Sequence, residues 1–200
     1  MIPSRYSCLF LAFLISVGCS PDVKSPNVAA PVGKAEADAI VVLKAAGAVV
    51  KPDDGGAITD IDLHKLTLTP EILGLLAEFK SLRVLNLADS SFDDESLPAL
   101  ERVSPLLVNL DLRGCLISDQ AAATIARFTS LRALRFNGKN GQTSIGDDGV
   151  KALAACKSLK VLALDELTFV GSDGLSALKG LTELEELYLA GTVEIGRAHV

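Results

Sequence analysis

Apolar and polar positions in this 200-residue chain follow one template that recurs six times. Its clearest copy is 82–87 (LRVLNL), where Leu82, Leu85 and Leu87 are apolar and Asn86 sits between the last two. Leu107, Leu110 and Leu112 keep the same spacing, as do Leu131, Leu134 and Phe136, then Leu159, Leu162 and Leu164, then Leu184, Leu187 and Leu189. Ile58, Ile61 and Leu63 form an earlier, degenerate copy. The copies begin at 58, 82, 107, 131, 159 and 184, so the steps are 24, 25, 24, 28 and 25 residues. A fixed period in this range marks a solenoid, in which each unit buries its apolar face against the next.

Within a copy, the alternation predicts a strand with its last two apolar residues inward and the residue between them outward. A second apolar point falls ten residues after the start, at Leu68, Phe92, Ile117 and Phe169, with Ile145 displaced by an insertion. Helix-spaced pairs follow at Leu73/Leu76, Leu97/Leu100, Ala122/Ile125, Val150/Leu153 and Leu175/Leu178. A third inward column runs through Phe79, Val103, Phe128, Cys156 and Leu181. N-cap residue types mark the helix starts at Thr69 (with Pro70 next), Ser118/Asp119, Asp147/Asp148 and Ser172/Asp173. Strand, helix and return to a parallel strand is a right-handed crossover repeated in series. The expected class is therefore α/β, with a parallel concave sheet and helices on the convex face.

This layout over residues 58–193 resembles the leucine-rich-repeat family, in the longer strand-and-helix subclass typified by ribonuclease inhibitor. The resemblance implies a horseshoe whose concave face binds another protein. In that family Asn, Thr or Cys often stands eight residues after the repeat start and bonds backbone groups of the turn. Here that column reads Leu66, Ser90, Cys115, Lys139, Leu167 and Thr192, so a broken polar ladder is expected. The fourth copy carries extra residues at 138–142 (GKNGQ), which should bulge beside the strand ends.

The flanks read differently. Arg5 precedes an apolar run at 8–17, the length of a signal-peptide core and too short to span a bilayer. It ends in Ser16, Val17, Gly18 and Cys19, which resembles the bacterial lipobox and implies lipidation of Cys19 after cleavage at 18. Residues 19–34 hold three Pro and little that would form a core, and read as a tether. Residues 35–57 read as an amino-terminal cap: a helix with Ile40, Leu43 and Ala46 on one face, ended by Gly47, then a short edge strand through Ala48, Val49 and Val50. The whole arrangement looks like envelope leucine-rich-repeat lipoproteins of environmental bacteria. Residues 194–200 (EIGRAHV) break the register and resemble the conceptual translation of a sequencing-adapter read. They are expected to be foreign to the protein, which would make the chain a fragment.

Composition narrows the chemistry. Aromatic residues make up only 4% and Trp is absent, so the core must be aliphatic. A net charge of −6 carries no nucleic-acid footprint, which would be a basic stripe. His64 is the only histidine outside the tail, so no histidine triad or histidine metal site can be assembled; no cofactor is expected. Asp62 and Asp111 fall in one column about 10 Å apart, but without an aromatic sugar platform they read as solvated surface rather than a glycosidase pair. Cys115 and Cys156 lie in different columns and read as buried small residues.

The outward strand positions offer Asp60, Asp62, His64, Asn86, Asn109, Asp111, Arg113, Arg135, Asn137, Asp165, Glu186 and Tyr188 as the candidate partner-binding surface. The expectation is a non-enzymatic, lipid-anchored protein of the bacterial cell envelope that binds an unknown protein partner. The alternatives are a spacer without a specific partner, or the binding arm of an enzyme whose catalytic domain lies further along.

Overall fold

A computed structural model describes residues 33–192. The signal-like segment, Cys19, most of the tether and the adapter-like tail lie outside them. The chain opens with α1 (Lys34–Ala45) and β1 (Val49–Pro52), then builds one seven-stranded sheet in sequence order. Its further strands are β2 (Ile58–Asp62), β3 (Val84–Asn86), β4 (Asn109–Asp111), β5 (Ala133–Asn137), β6 (Val161–Asp165) and β7 (Glu186–Tyr188). β1 runs antiparallel to β2, and every later pair is parallel. Backbone pairing joins Asp62, Asn86, Asp111, Arg135, Ala163 and Tyr188 into one row without a slip.

Strand length follows from where an acceptor side chain sits. Asp62, Asn86 and Asp111 each accept a hydrogen bond from the amide two residues on, at 3.0, 3.0 and 3.2 Å. That bond turns the chain out of the sheet, and β2, β3 and β4 end there. Arg135 holds the same row position but has no acceptor atom. β5 accordingly runs two residues further, to Asn137, which accepts from the Lys139 amide at 2.8 Å.

The core is a stack of aliphatic layers. Leu85, Leu110, Leu134 and Leu162 are fully buried, as are Leu87, Leu112, Phe136 and Leu164. At the last strand the layer opens, and Leu187 is 41% exposed. The third column is buried throughout, and so are the helix pairs, except that Leu175 is half-buried. Three details differ from the sequence expectation. Phe169 is 68% exposed, because its backbone bridges Gly146 while Val170 takes the inward place. Ala46 is exposed; α1 buries Ala39 and Leu43 instead. Ala48 precedes β1 rather than joining it.

The polar ladder is broken at Leu66 and Leu167, as expected, but the insertion of the fourth repeat does not interrupt it. Ser90 Oγ donates to the Leu63 carbonyl at 2.6 Å, and Cys115 Sγ to the Leu87 carbonyl at 3.0 Å. The inserted residues loop out, so Thr143 replaces Lys139 in this column and donates to the Cys115 carbonyl at 2.9 Å. The second, third and fourth repeats thereby each satisfy a buried carbonyl of the repeat before, while Thr192 donates within its own repeat to the Leu189 carbonyl at 3.0 Å.

The convex elements are short. α2 (Pro70–Gly74) starts at Thr69, whose hydroxyl accepts from the Ile72 amide, and passes into a 3-10 turn. The second repeat is 3-10 throughout Asp94–Arg102 and contains Pro98, which lacks the amide that an α-helix would bond. α3 (Asp119–Ile125), α4 (Asp147–Leu153) and α5 (Ser172–Ala177) follow. Ser118 caps α3 with its own hydroxyl, but α4 and α5 begin at Gly146 and Gly171, with no cap of their own. Their caps come from the preceding repeat. Asp119 Oδ1 accepts from Gly146 and Gly149 amides at 2.8 and 3.0 Å, and Asp147 Oδ1 accepts from Gly171 and Gly174 amides at 2.7 and 3.1 Å. Asp94 accepts from both the amide and the hydroxyl of Ser118. The approach leaves no room for a side chain: a Cβ on Gly149 would stand 2.4 Å from Asp119 Oδ1.

Losing one such carboxylate strands two part-buried amides. Asp119→Ala is expected to lower unfolding free energy by about 1–3 kcal/mol. Asp148→Ala, at an exposed site paired only with Lys151, is expected to cost under about 0.5 kcal/mol. Equal urea midpoints for the two variants would show that the inter-repeat caps contribute nothing.

Candidate functional site

The concave rows carry the sequence-derived candidates, and the geometry divides them into two groups. Asp62, Asn86, Asp111 and Asn137 are bound to the backbone turns described above. Asp165 joins them, since its Oδ1 accepts from the Ala190 amide of the next repeat at 2.8 Å. These five give the face its shape and have only part of their bonding capacity left for a ligand. Asp60 accepts from the Thr59 hydroxyl at 2.7 Å, and Glu186 from the Tyr188 hydroxyl at 2.7 Å, which raises the Tyr188 pKa.

The second group projects outward. Arg113 makes a forked pair with Asp111 in its own chain segment, with Nε at 2.9 and 3.0 Å and Nη2 at 2.7 Å; this contact raises its pKa further. Arg135 reaches across to Asn109 Oδ1 at 2.8 Å. His64 stands 3.6 Å from Asp89, both of them about 40% exposed. Tyr188 is half-exposed on the last strand.

A cleft of about 660 Å³ where the strands end takes in His64 and Arg113 of this group. His64, Asp89, Arg113, Asn137, Lys139 and Asn140 are among its lining residues. Lys139 and Asn140 come from the inserted loop of the fourth repeat, so the insertion does border the strand ends. Asp89 escaped sequence reasoning. It lies seven residues after its repeat start, in the turn column where Lys65, Asp89 and Glu166 adopt positive φ (61°, 56° and 58°) beside Gly114 and Gly191. Side chains in that column project from the edge, and its alternation with glycine was the available signal.

The arrangement offers hydrogen bonds and charge of both signs on a rigid frame. Asp62 and Asp111 share a row two strands apart, but both carboxylates are tied to turns and Asp111 also to Arg113. Among the described residues no group of three or more His, Cys, Asp or Glu is placed to hold a metal ion. No described helix is long and apolar enough to cross a membrane.

No family model matches the chain, and no curated protein matches it. Solved structures do. One is the Arabidopsis receptor kinase HAESA in complex with the peptide hormone IDA and the co-receptor SERK1: 18% identity, TM-score 0.52, covering 79% of this chain and 34% of that one. Another is the HAESA leucine-rich-repeat ectodomain with an N-terminally extended IDA peptide: 17% identity, TM-score 0.50, covering 78% and 33%. The chain thus spans about a third of the length of these structures. At such identities the likeness establishes the fold: this is an α/β leucine-rich-repeat solenoid.

Cys115 and Cys156 are free and buried. Burial pushes their thiols up, to about 12 and about 11. In a Cys8→Ser/Cys19→Ser chain, both are expected to resist dithiobis(nitrobenzoate) at neutral pH and to react fully in denaturant. An unfolded thiol ionises near 9 while the folded ones stay protonated, so stability should be intact below pH 9 and fall as pH rises toward 11–12. Rapid labelling of the folded protein at pH 7 would contradict this burial.

Proposed function

We propose that the protein is a lipid-anchored binding module of the bacterial cell envelope, of the ribonuclease-inhibitor-like repeat subclass, that captures a segment of another protein on its concave face. The observation that carries this reading is the convergence of His64, Asp89, Arg113, Asn137 and Lys139 on one cleft, held in register by the strand ladder. Arg135 and Tyr188 extend the contact surface across β5 and β7. A partner's backbone and polar side chains would meet donors and acceptors already fixed, so little ordering entropy is lost on binding. The likeness to HAESA, whose structures hold a peptide hormone, supports a peptide-like occupant. The anchor rests on Arg5, the apolar run at 8–17 and the lipobox resemblance at Cys19.

Two measurements test the reading. Peptides selected by display on the immobilised chain are expected to bind Arg113→Ala/Arg135→Ala about tenfold more weakly, and to bind Gln120→Ala, on the convex side, unchanged. Equal affinity for all three proteins would remove the concave-face site. Mass spectrometry of the mature amino terminus should find a diacylglyceryl-modified Cys19; an unmodified Cys19, or cleavage at another position, refutes the anchor.

A further inference from the structure

A second cleft, of about 480 Å³, lies at the opposite edge of the sheet, where the chain descends from the convex elements into the strands. Arg83, Leu106, Val108 and Arg132 are among its lining residues, with Ser130 and Ser158. The backbone here is locked. The Val108 amide donates to the Arg83 carbonyl at 2.8 Å, and the Arg132 amide to the Val108 carbonyl at 2.8 Å. The three residues therefore form one row, and Arg83 and Arg132 stand about 10 Å apart at strand spacing.

In this row and its turns Lys80, Lys157 and Lys160 each have a partner, whereas Glu183 has none among the described residues. Lys160 pairs with Glu185, Lys157 Nζ donates to the Gly180 carbonyl at 3.2 Å, and Lys80 Nζ to the Ala77 carbonyl at 2.6 Å. Arg127, Arg113 and Arg135 are matched to Glu101, Asp111 and Asn109. The guanidiniums of Arg83 and Arg132 have no carboxylate or carbonyl partner among the described residues. Two unmatched forks facing one cleft, with an apolar saddle between them, lie in a protein whose net charge is −6. Arginine is the side chain suited to forked recognition of carboxylates.

We propose that this edge is a docking site for an extended acidic peptide, with a carboxylate on each arginine and an apolar side chain over Leu106 and Val108. This surface is separate from the concave face and does not depend on that reading. A membrane surface fits less well. Leu106 and Val108 are half-buried while the arginines are exposed, and the flanking lysines Lys80, Lys157 and Lys160 are already partnered.

The probe is a fluorescein-labelled pentapeptide, Glu-Ala-Leu-Ala-Glu. Its acidic groups share one face and lie about 13 Å apart when extended, within reach of two long side chains about 10 Å apart at the backbone. Fluorescence polarisation on the full chain should show saturable binding that weakens with salt, is absent for Gln-Ala-Leu-Ala-Gln, and falls about tenfold in Arg83→Gln/Arg132→Gln. Both arginines are exposed, so the double variant should keep the wild-type thermal midpoint. Arg127→Gln/Lys151→Gln, which removes the same charge from the convex side, should bind as wild type. The proposal is overturned by the absence of saturable binding, by retained binding in the Arg83/Arg132 variant, or by equal loss in the convex variant. Full competition by inorganic phosphate or anionic vesicles at the peptide's own concentration would also overturn it, since the cleft would then read charge alone.

Discussion

Each repeat of about 25 residues must cover the apolar face of the one before it, and must also satisfy the polar groups that this contact buries. Leucine stacking meets the first demand: Leu85, Leu110, Leu134 and Leu162 form one continuous column with no exposed surface. The second demand is met by bonds that cross between repeats rather than within them. Ser90, Cys115 and Thr143 reach back to carbonyls of the previous repeat, and Asp119 and Asp147 reach forward to amides of the next. A repeat in isolation would lose both sets, so the stack is the unit that folds.

The same accounting explains which parts of the fold were legible in the chain. The L-x-x-L-x-L spacing fixed the strand register because a one-residue slip would turn every leucine outward. The convex elements were legible as apolar pairs but not as helix types. Pro98 makes the second repeat 3-10, and α4 and α5 take caps from a neighbour that no local motif can reveal. Phe169 was misplaced for a related reason. Counting from Leu159 puts it inward, yet β6 runs to Asp165, the turn at Glu166 has positive φ, and Val170 arrives inward in its place. Lys139 was misassigned because an insertion shifts any fixed count, and only the folded loop shows that Thr143 resumes the column.

The candidate site was legible as a set of positions but not as a set of roles. Alternation correctly placed Asp62, Asn86, Asp111 and Asn137 on the outward face. It could not show that their oxygens end the strands, a role that depends on the amide two residues on and on the path of the chain after it. Asp and Asn recur there for the same reason that they recur in turns, since their short side chains reach a nearby amide. Repetition of a polar residue down a solenoid face is therefore evidence of architecture first. The residues that break the repetition carry more information about ligands. Arg135 ends the run of acceptors in its row, and the inserted Lys139 and Asn140 occur once.

That criterion also separates the two edges of the sheet. At the strand ends, His64 stands beside Asp89 and Arg113 pairs with Asp111, so the edge presents paired charge around a cleft. At the strand starts, the row from Arg83 through Val108 to Arg132 leaves two cations unmatched. A protein with an acidic surplus could place carboxylates near these guanidiniums, and where Lys160 meets Glu185 it does so in the same row, starting one strand beyond Arg132. Side-chain entropy and hydration make an exposed, unpaired arginine inexpensive on its own. Two on a hydrogen-bonded backbone, either side of an apolar saddle, are a different case, because the frame that orders them is already built by the stacking of the repeats.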